Sequence, residues 1–142
     1  MSDLRHARLP VNVRLRGLHS GGHLAVIEIV VGADSGGPPL HVHPEHAEGF
    51  YILDGELAVQ VGNEVVTGSA GSFFFAPPGT AHTFANFSGR DARMLVLCTP
   101  AGFETYFDQL AAGHSASPPP GRAVAVGPRI SAASRHAPAA EV

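Results

Sequence analysis

Residues 41–48 read His-Val-His-Pro-Glu-His-Ala-Glu and gather several metal-ligating side chains into one short stretch. His41 and His43 are two apart, so on a strand both imidazoles leave the same face. Pro44 interrupts regular pairing, and a bend there can bring the Glu48 carboxylate round to an ion held by the two imidazoles. A second stretch, His82 behind Pro77-Pro78-Gly79, can supply a third imidazole from a distant strand. Three neutral nitrogens and one carboxylate suit a divalent first-row transition metal better than calcium or magnesium, which prefer oxygen cages. Iron, manganese, nickel, cobalt, copper and zinc all accept such a set, so these residues do not name the metal. The expectation is a small metal-binding β-barrel.

Composition narrows the classes. A chain of 142 residues is one domain with room for a single core. A net charge of −3 with no basic run argues against nucleic acid as a partner. All nine basic residues are arginine, which excludes Schiff-base chemistry and a lysine base. Cys98 is the single cysteine, so neither an intramolecular disulfide nor a thiolate zinc cluster can form. Met1-Ser2-Asp3-Leu4-Arg5 begins no signal peptide, and no apolar run approaches membrane-spanning length. A cytoplasmic protein with no membrane partner is expected.

The elements that must position the site follow from patterning. Val11, Val13 and Leu15 alternate with polar residues, the period of a half-buried strand. Residues 24–31 are almost all apolar and β-branched, which predicts a strand covered on both faces, with Glu28 at a strand edge or paired to an arginine. A glycine- and proline-rich loop delivers the chain to His41. Beyond Glu48, Phe50 and Ile52 share its face, while Tyr51 and Leu53 take the other. Asp54-Gly55 predicts a hairpin into Leu57, Val59 and Val61. Phe73-Phe74-Phe75 places aromatic bulk on both faces of one strand, and the outer face needs a cover, either the N-terminal strands or a second subunit; that argues for a homodimer. Short strands at this spacing indicate a sandwich or barrel. One helix is expected over about 100–112, with Pro100 in its first turn and Phe103, Tyr106, Phe107 and Leu110 at helical spacing. Residues 113–142 are rich in Ala, Ser, Pro and Gly and read as a disordered tail, of which 115–142 should be removable without loss of stability. The barrel and helix would occupy residues 1–112.

These two stretches together resemble the cupin superfamily. Its second motif, G-x5-P-x-G-x2-H-x3-N, is matched by Gly71, Pro77, Gly79, His82 and Asn86. Its first, G-x5-H-x-H-x(3,4)-E-x6-G, is matched at His41, His43, Glu48 and Gly55, with Ser35 in place of the leading glycine. The resemblance spans roughly residues 20 to 112. It implies an all-β, double-stranded β-helix (jelly-roll) barrel open at one end, with His41, His43, Glu48 and His82 as metal ligands. Gly55 and Gly79 suit turns needing positive φ, and Asn86 is read as fixing the adjacent turn by hydrogen bonds. Phe50, Ile52, Phe84 and Cys98 are candidate pocket lining, with plain core as the alternative. Glu45 and His46 are assigned to a solvated loop.

Among one-barrel cupins the chain is most similar to quercetinase-like proteins, and Thr99-Pro100-Ala101-Gly102-Phe103-Glu104 also resembles that group. The resemblance implies a metal-dependent dioxygenase acting on an aromatic or enolic hydroxy-ketone, with Glu48 as both ligand and catalytic base. The same residues would serve a non-oxidative isomerase, cyclase or decarboxylase, or a binding protein without turnover.

Overall fold

The computed structural model describes residues 11–111 and 123–132. Ten strands are joined by one 3-10 turn (Gly17–His19) and one helix. They are β1 (Val11–Leu15), β2 (Ala25–Val31), β3 (Leu40–Val42), β4 (Ala47–Asp54), β5 (Glu56–Val61), β6 (Glu64–Ser69), β7 (Phe73–Ala76), β8 (His82–Ala85), β9 (Ala92–Thr99) and β10 (Val124–Gly127), with α1 at Glu104–Ala111 before β10. Two five-stranded sheets form, ordered β1-β2-β9-β4-β7 and β10-β3-β8-β5-β6, and every strand pair is antiparallel. This is the expected all-β, double-stranded β-helix barrel. No helix among the described residues is long and apolar enough to cross a membrane.

The core lies between the sheets. Ile27, Ile29, Phe50, Ile52, Met94 and Val96 come from one, and Leu57, Val59 and Phe84 from the other. Period-2 alternation puts them there: along β2 every second residue, Ala25 through Val31, is buried. The prediction of cover on both faces of β2 is corrected. Its outer face is only half-buried because Glu28 lies there, held by Arg14 at 3.0 Å and Arg93 at 3.1 Å.

The expected Asp54-Gly55 hairpin is also corrected. β4 and β5 lie in different sheets, so this turn is a corner between sheets rather than a strand reversal. Gly55 has φ +85, and a Cβ there would stand 2.8 Å from the Asp91 carbonyl oxygen, so the corner needs glycine. The true hairpin follows at Gly62-Asn63, where Val61 pairs with Glu64. Asn86 has the structural role expected of it. Its amide donates to Val31 O and Arg90 O, and its Oδ1 accepts from Ser88 N–H.

The helix begins at Glu104, not near Pro100. Gly102, at φ +137, breaks the chain before it. The Glu104 carboxylate then accepts from Gly102 N–H and Gly17 N–H at 2.6 and 2.8 Å, tying the helix start to the 3-10 turn. The tail reading fails over its described part. β10 pairs with β3, Arg129 donates to Gly37 O at 2.8 Å, and Ile130 is 6% exposed against Ala58, Val65 and Ala85. Four residues of Val-Ala-Val-Gly are too short to stand out from a Pro- and Ala-rich background, and the free edge of β3 supplies the pairing that their own pattern lacks. Residues 113–122 and 133–142 of the expected tail lie outside the described residues.

Candidate metal centre

His41 sits on β3 and His82 on β8, directly opposite one another in the ladder. His43 follows β3, and Glu48 is the second residue of β4 on the other sheet. Gly79, at φ +79, donates its N–H to His43 O at 2.9 Å, which locks the second motif's turn against the first motif's strand. The four side chains offer one ligand atom each, all within 4.8 Å of one another. Pairing register brings together residues 41 positions apart.

Two imidazoles have their tautomers set from behind. His41 Nδ1 donates to Pro39 O at 2.8 Å and His82 Nδ1 to Thr80 O at 2.9 Å. A carbonyl only accepts, so both Nδ1 atoms carry hydrogen and a neutral ring leaves its Nε2 lone pair toward the centre. Burial, reinforced by the neighbouring His82, pushes His41 down to about 4, so that ring is neutral near pH 7. His82 Nε2 stands 2.9 Å from Glu48 Oε2, and His43 Nε2 stands 3.2 Å from Oε1. Burial alone would push the Glu48 carboxyl up, but hydrogen bonds from His43, His46 and His82 outweigh it and hold the group well below the usual carboxylate range. A neutral Nε2 facing an ionised carboxylate at 2.9 Å opposes two lone pairs, and only a proton or a metal cation between them resolves it. The residues therefore fit a divalent metal ion, and the nitrogen-rich donor set fits a transition metal.

Above the four residues lies a cavity of about 230 Å³. Phe50, Phe84 and Val96 form its inner walls, Phe103, Tyr106 and Phe107 one rim, and Ala123 with Ala125 another. Phe50 and Phe84 are among the residues that line it. Ile52 and Cys98 do not: both are fully buried at 0% exposure, Ile52 in the core and Cys98 with its Sγ 3.6 Å from Glu48 Oε1. The aromatic rim went unrecognised because helical spacing in 103–107 reads equally well as packing.

His46 was also missed. It is buried at 2% exposure, stacked on His43 at 4.2 Å, and its Nε2 lies 3.3 Å from Glu48 Oε1. The signal was present as a third histidine within six residues, but a solvated loop and a buried turn look alike in sequence.

Comparisons with known proteins bear on this arrangement. No curated protein sequence matches the chain. Similar solved structures include KdgF from Halomonas sp., at 18% identity and TM-score 0.62, covering 73% of this chain and 88% of that one. A predicted oxalate decarboxylase from Thermotoga maritima matches at 20% identity and TM-score 0.61, over 65% of this chain and 80% of that one. The polyketide cyclase RemF from Streptomyces resistomycificus matches at 21% identity and TM-score 0.56, over 65% of each chain. At these identities the likeness is one of fold. The family model described as Cupin domain matches residues 25–98, a span that holds all four residues of the centre and both faces of the core. The chain belongs to the cupin superfamily.

Proposed function

We propose that this cupin holds a divalent transition-metal ion on His41, His43, Glu48 and His82 and acts on a compact, enolisable hydroxy-ketone with dioxygen as co-substrate, in the manner of the quercetinase-like group. The observation that carries this reading is the floor of the cavity, a buried carboxylate ringed by imidazoles beneath aromatic walls. When bound, the ion would supply Lewis acidity toward a substrate oxygen.

The chain's own residues supply the rest. Glu48 accepts the hydroxyl proton at a carboxylate oxygen. A carboxylate held so low is a weak base while imidazole N–H groups donate to it; when those nitrogens present lone pairs instead, its basicity returns. Phe50, Phe84, Phe103 and Phe107 sandwich a flat molecule and keep water out, which strengthens each electrostatic contact beneath them. The Thr83 hydroxyl is committed to Pro38 O at 2.6 Å, so among the lining groups Tyr106 is the hydroxyl left to meet substrate. A volume of 230 Å³ falls below the roughly 300–1,000 Å³ of pockets for drug-sized ligands, which favours one or two rings over a larger flavonol.

The same buried base favours a second, non-oxidative reading in which proton removal beside a carbonyl drives isomerisation, cyclisation or decarboxylation; a fold neighbour is a polyketide cyclase. Oxygen uptake by the metal-loaded protein across a panel of small hydroxy-ketones separates the two. Uptake matching substrate loss supports the dioxygenase, and substrate loss without uptake replaces it with the second reading. Binding without any turnover leaves a ligand-binding module. Tyr51, Phe73 and Phe75 share the outer face of the first sheet, exposed by 38, 53 and 51%, and we assign their cover to a second copy of the chain. A monomer mass in sedimentation would remove that assignment.

A further inference from the structure

Glu48 is surrounded on more sides than one ion needs. Its Oε2 faces His82, while its Oε1 lies 3.2 Å from His43 Nε2 and also meets two groups outside that centre, His46 Nε2 at 3.3 Å and Cys98 Sγ at 3.6 Å. Cys98 reaches Glu48 because the two residues are direct partners across the β4–β9 ladder. His46 reaches it from the turn just before β4. The donor atoms of His46, Glu48 and Cys98 all lie within 4.8 Å of one another, and all three residues are buried. His46 Nδ1 has no hydrogen-bond partner among the described residues, so the Glu48 carboxylate is the polar group that ring addresses.

We propose that His46, Cys98 and Glu48 form a second, inner metal position that shares Glu48 as a bridging carboxylate with the first. The spacing supports it. A tetrahedral ion with bonds of about 2.0–2.1 Å to nitrogen and oxygen and about 2.3 Å to sulfur holds neighbouring N and O atoms about 3.3 Å apart, and S and O atoms about 3.6 Å apart. The observed separations from Oε1 are 3.3 and 3.6 Å. One thiolate, one imidazole and one carboxylate select a borderline or soft divalent ion such as zinc, cobalt or copper. Neither His46 nor Cys98 lines the cavity, so this position is closed to substrate. On binding, the S–H bond breaks, a metal–sulfur bond forms and the proton leaves to water, with no change of oxidation state.

The inference rests on the proposed centre for Glu48 as the shared ligand, and the test keeps the two apart. The full chain, stripped of metal and verified as folded by circular dichroism, is titrated with Co²⁺ while bound metal and near-ultraviolet absorption are measured. The expected result is two equivalents and a sulfur-to-cobalt charge-transfer band. Cys98→Ser and Cys98→Ala should each halve the stoichiometry and abolish the band. His46→Phe, which keeps an aromatic ring packed against His43 and Phe103, should lose the same equivalent. His41→Ala should lose the other equivalent and retain the band. A wild-type protein that binds one equivalent without a thiolate band overturns the inner position and leaves His46 as a hydrogen-bond partner of Glu48. One equivalent with the band upholds it and refutes the four-residue centre instead. No binding at all refutes both.

Discussion

Ile130→Ala tests whether the C-terminal segment belongs to the barrel. Ile130 is 6% exposed and closes a small cluster on the outer side of the second sheet with Ala58, Val65 and Ala85. The substitution removes three buried carbons, worth about 2.4 kcal/mol at roughly 0.8 kcal/mol each. Fully enclosed sites cost about 2–5 kcal/mol because a cavity remains. Here the neighbours are small and lie on an outer face that can close, so the low end applies, about 2 kcal/mol. For a domain of this size that is a fall in Tm of roughly 6–10 °C. The consequence extends to the site, since β10 pairs Ala125 with His41, and Ala125 and the preceding Ala123 join the cavity wall. Differential scanning calorimetry of Ile130→Ala beside Val126→Ala, whose side chain is 53% exposed, gives the comparison. Val126→Ala should stay within about 0.5 kcal/mol of wild type. If Ile130→Ala melts within a degree of wild type, the segment contributes no packing and the sequence-based reading of a dispensable tail stands.

Glu48→Gln should keep measurable metal content and lose about 10²–10⁴-fold in turnover per bound metal, because an amide coordinates weakly but cannot take the proton; equal turnover per metal in the two proteins would leave Glu48 as a ligand alone. His41→Ala and His82→Ala should each abolish stoichiometric binding at the cavity floor while far-ultraviolet dichroism stays that of the folded barrel, and full metal content in both would displace the centre. Asp108 pairs with Arg16 at 2.7 and 2.8 Å, anchoring α1 to the residue after β1. The hydrogen bond from Arg16 lowers the Asp108 pKa below its ordinary value of 3.8, so its contribution is present above that value and fades as pH falls through the folded one. Both side chains are about 40% exposed, so Asp108→Asn should cost under about 1 kcal/mol at pH 7 and nothing in strong acid. A gap between the melting curves that persists at low pH would contradict the ion-pair account.

The lesson of the corrected elements is physical. Asp54-Gly55 carried a genuine turn signal, since Gly55 does adopt φ +85, but a turn signal does not say which strand the chain pairs with next. Ala58 pairs with Ala85, and Leu57 and Val59 face the core, only because β5 crosses to the second sheet. His46 likewise has the residue type of a polar loop, and only the fold packs its ring against His43 at 4.2 Å and Phe103 at 4.9 Å.

The amino-acid pattern by itself determined the all-β class and the barrel fold, and it singled out the four residues of the candidate centre. Each of these rests on local periodicity or on residue types at short fixed spacing, His41 with His43 two apart and His82 behind its Pro-Pro-Gly turn. Tertiary structure alone decided what faces what across the sheets. It set Cys98 behind Glu48, brought the rim of Phe103, Tyr106 and Phe107 over the cavity, and recruited Val124–Gly127 to the edge of β3. Those contacts join residues tens of positions apart, and they follow from strand register and the burial of apolar faces, quantities that no window of neighbouring residues contains.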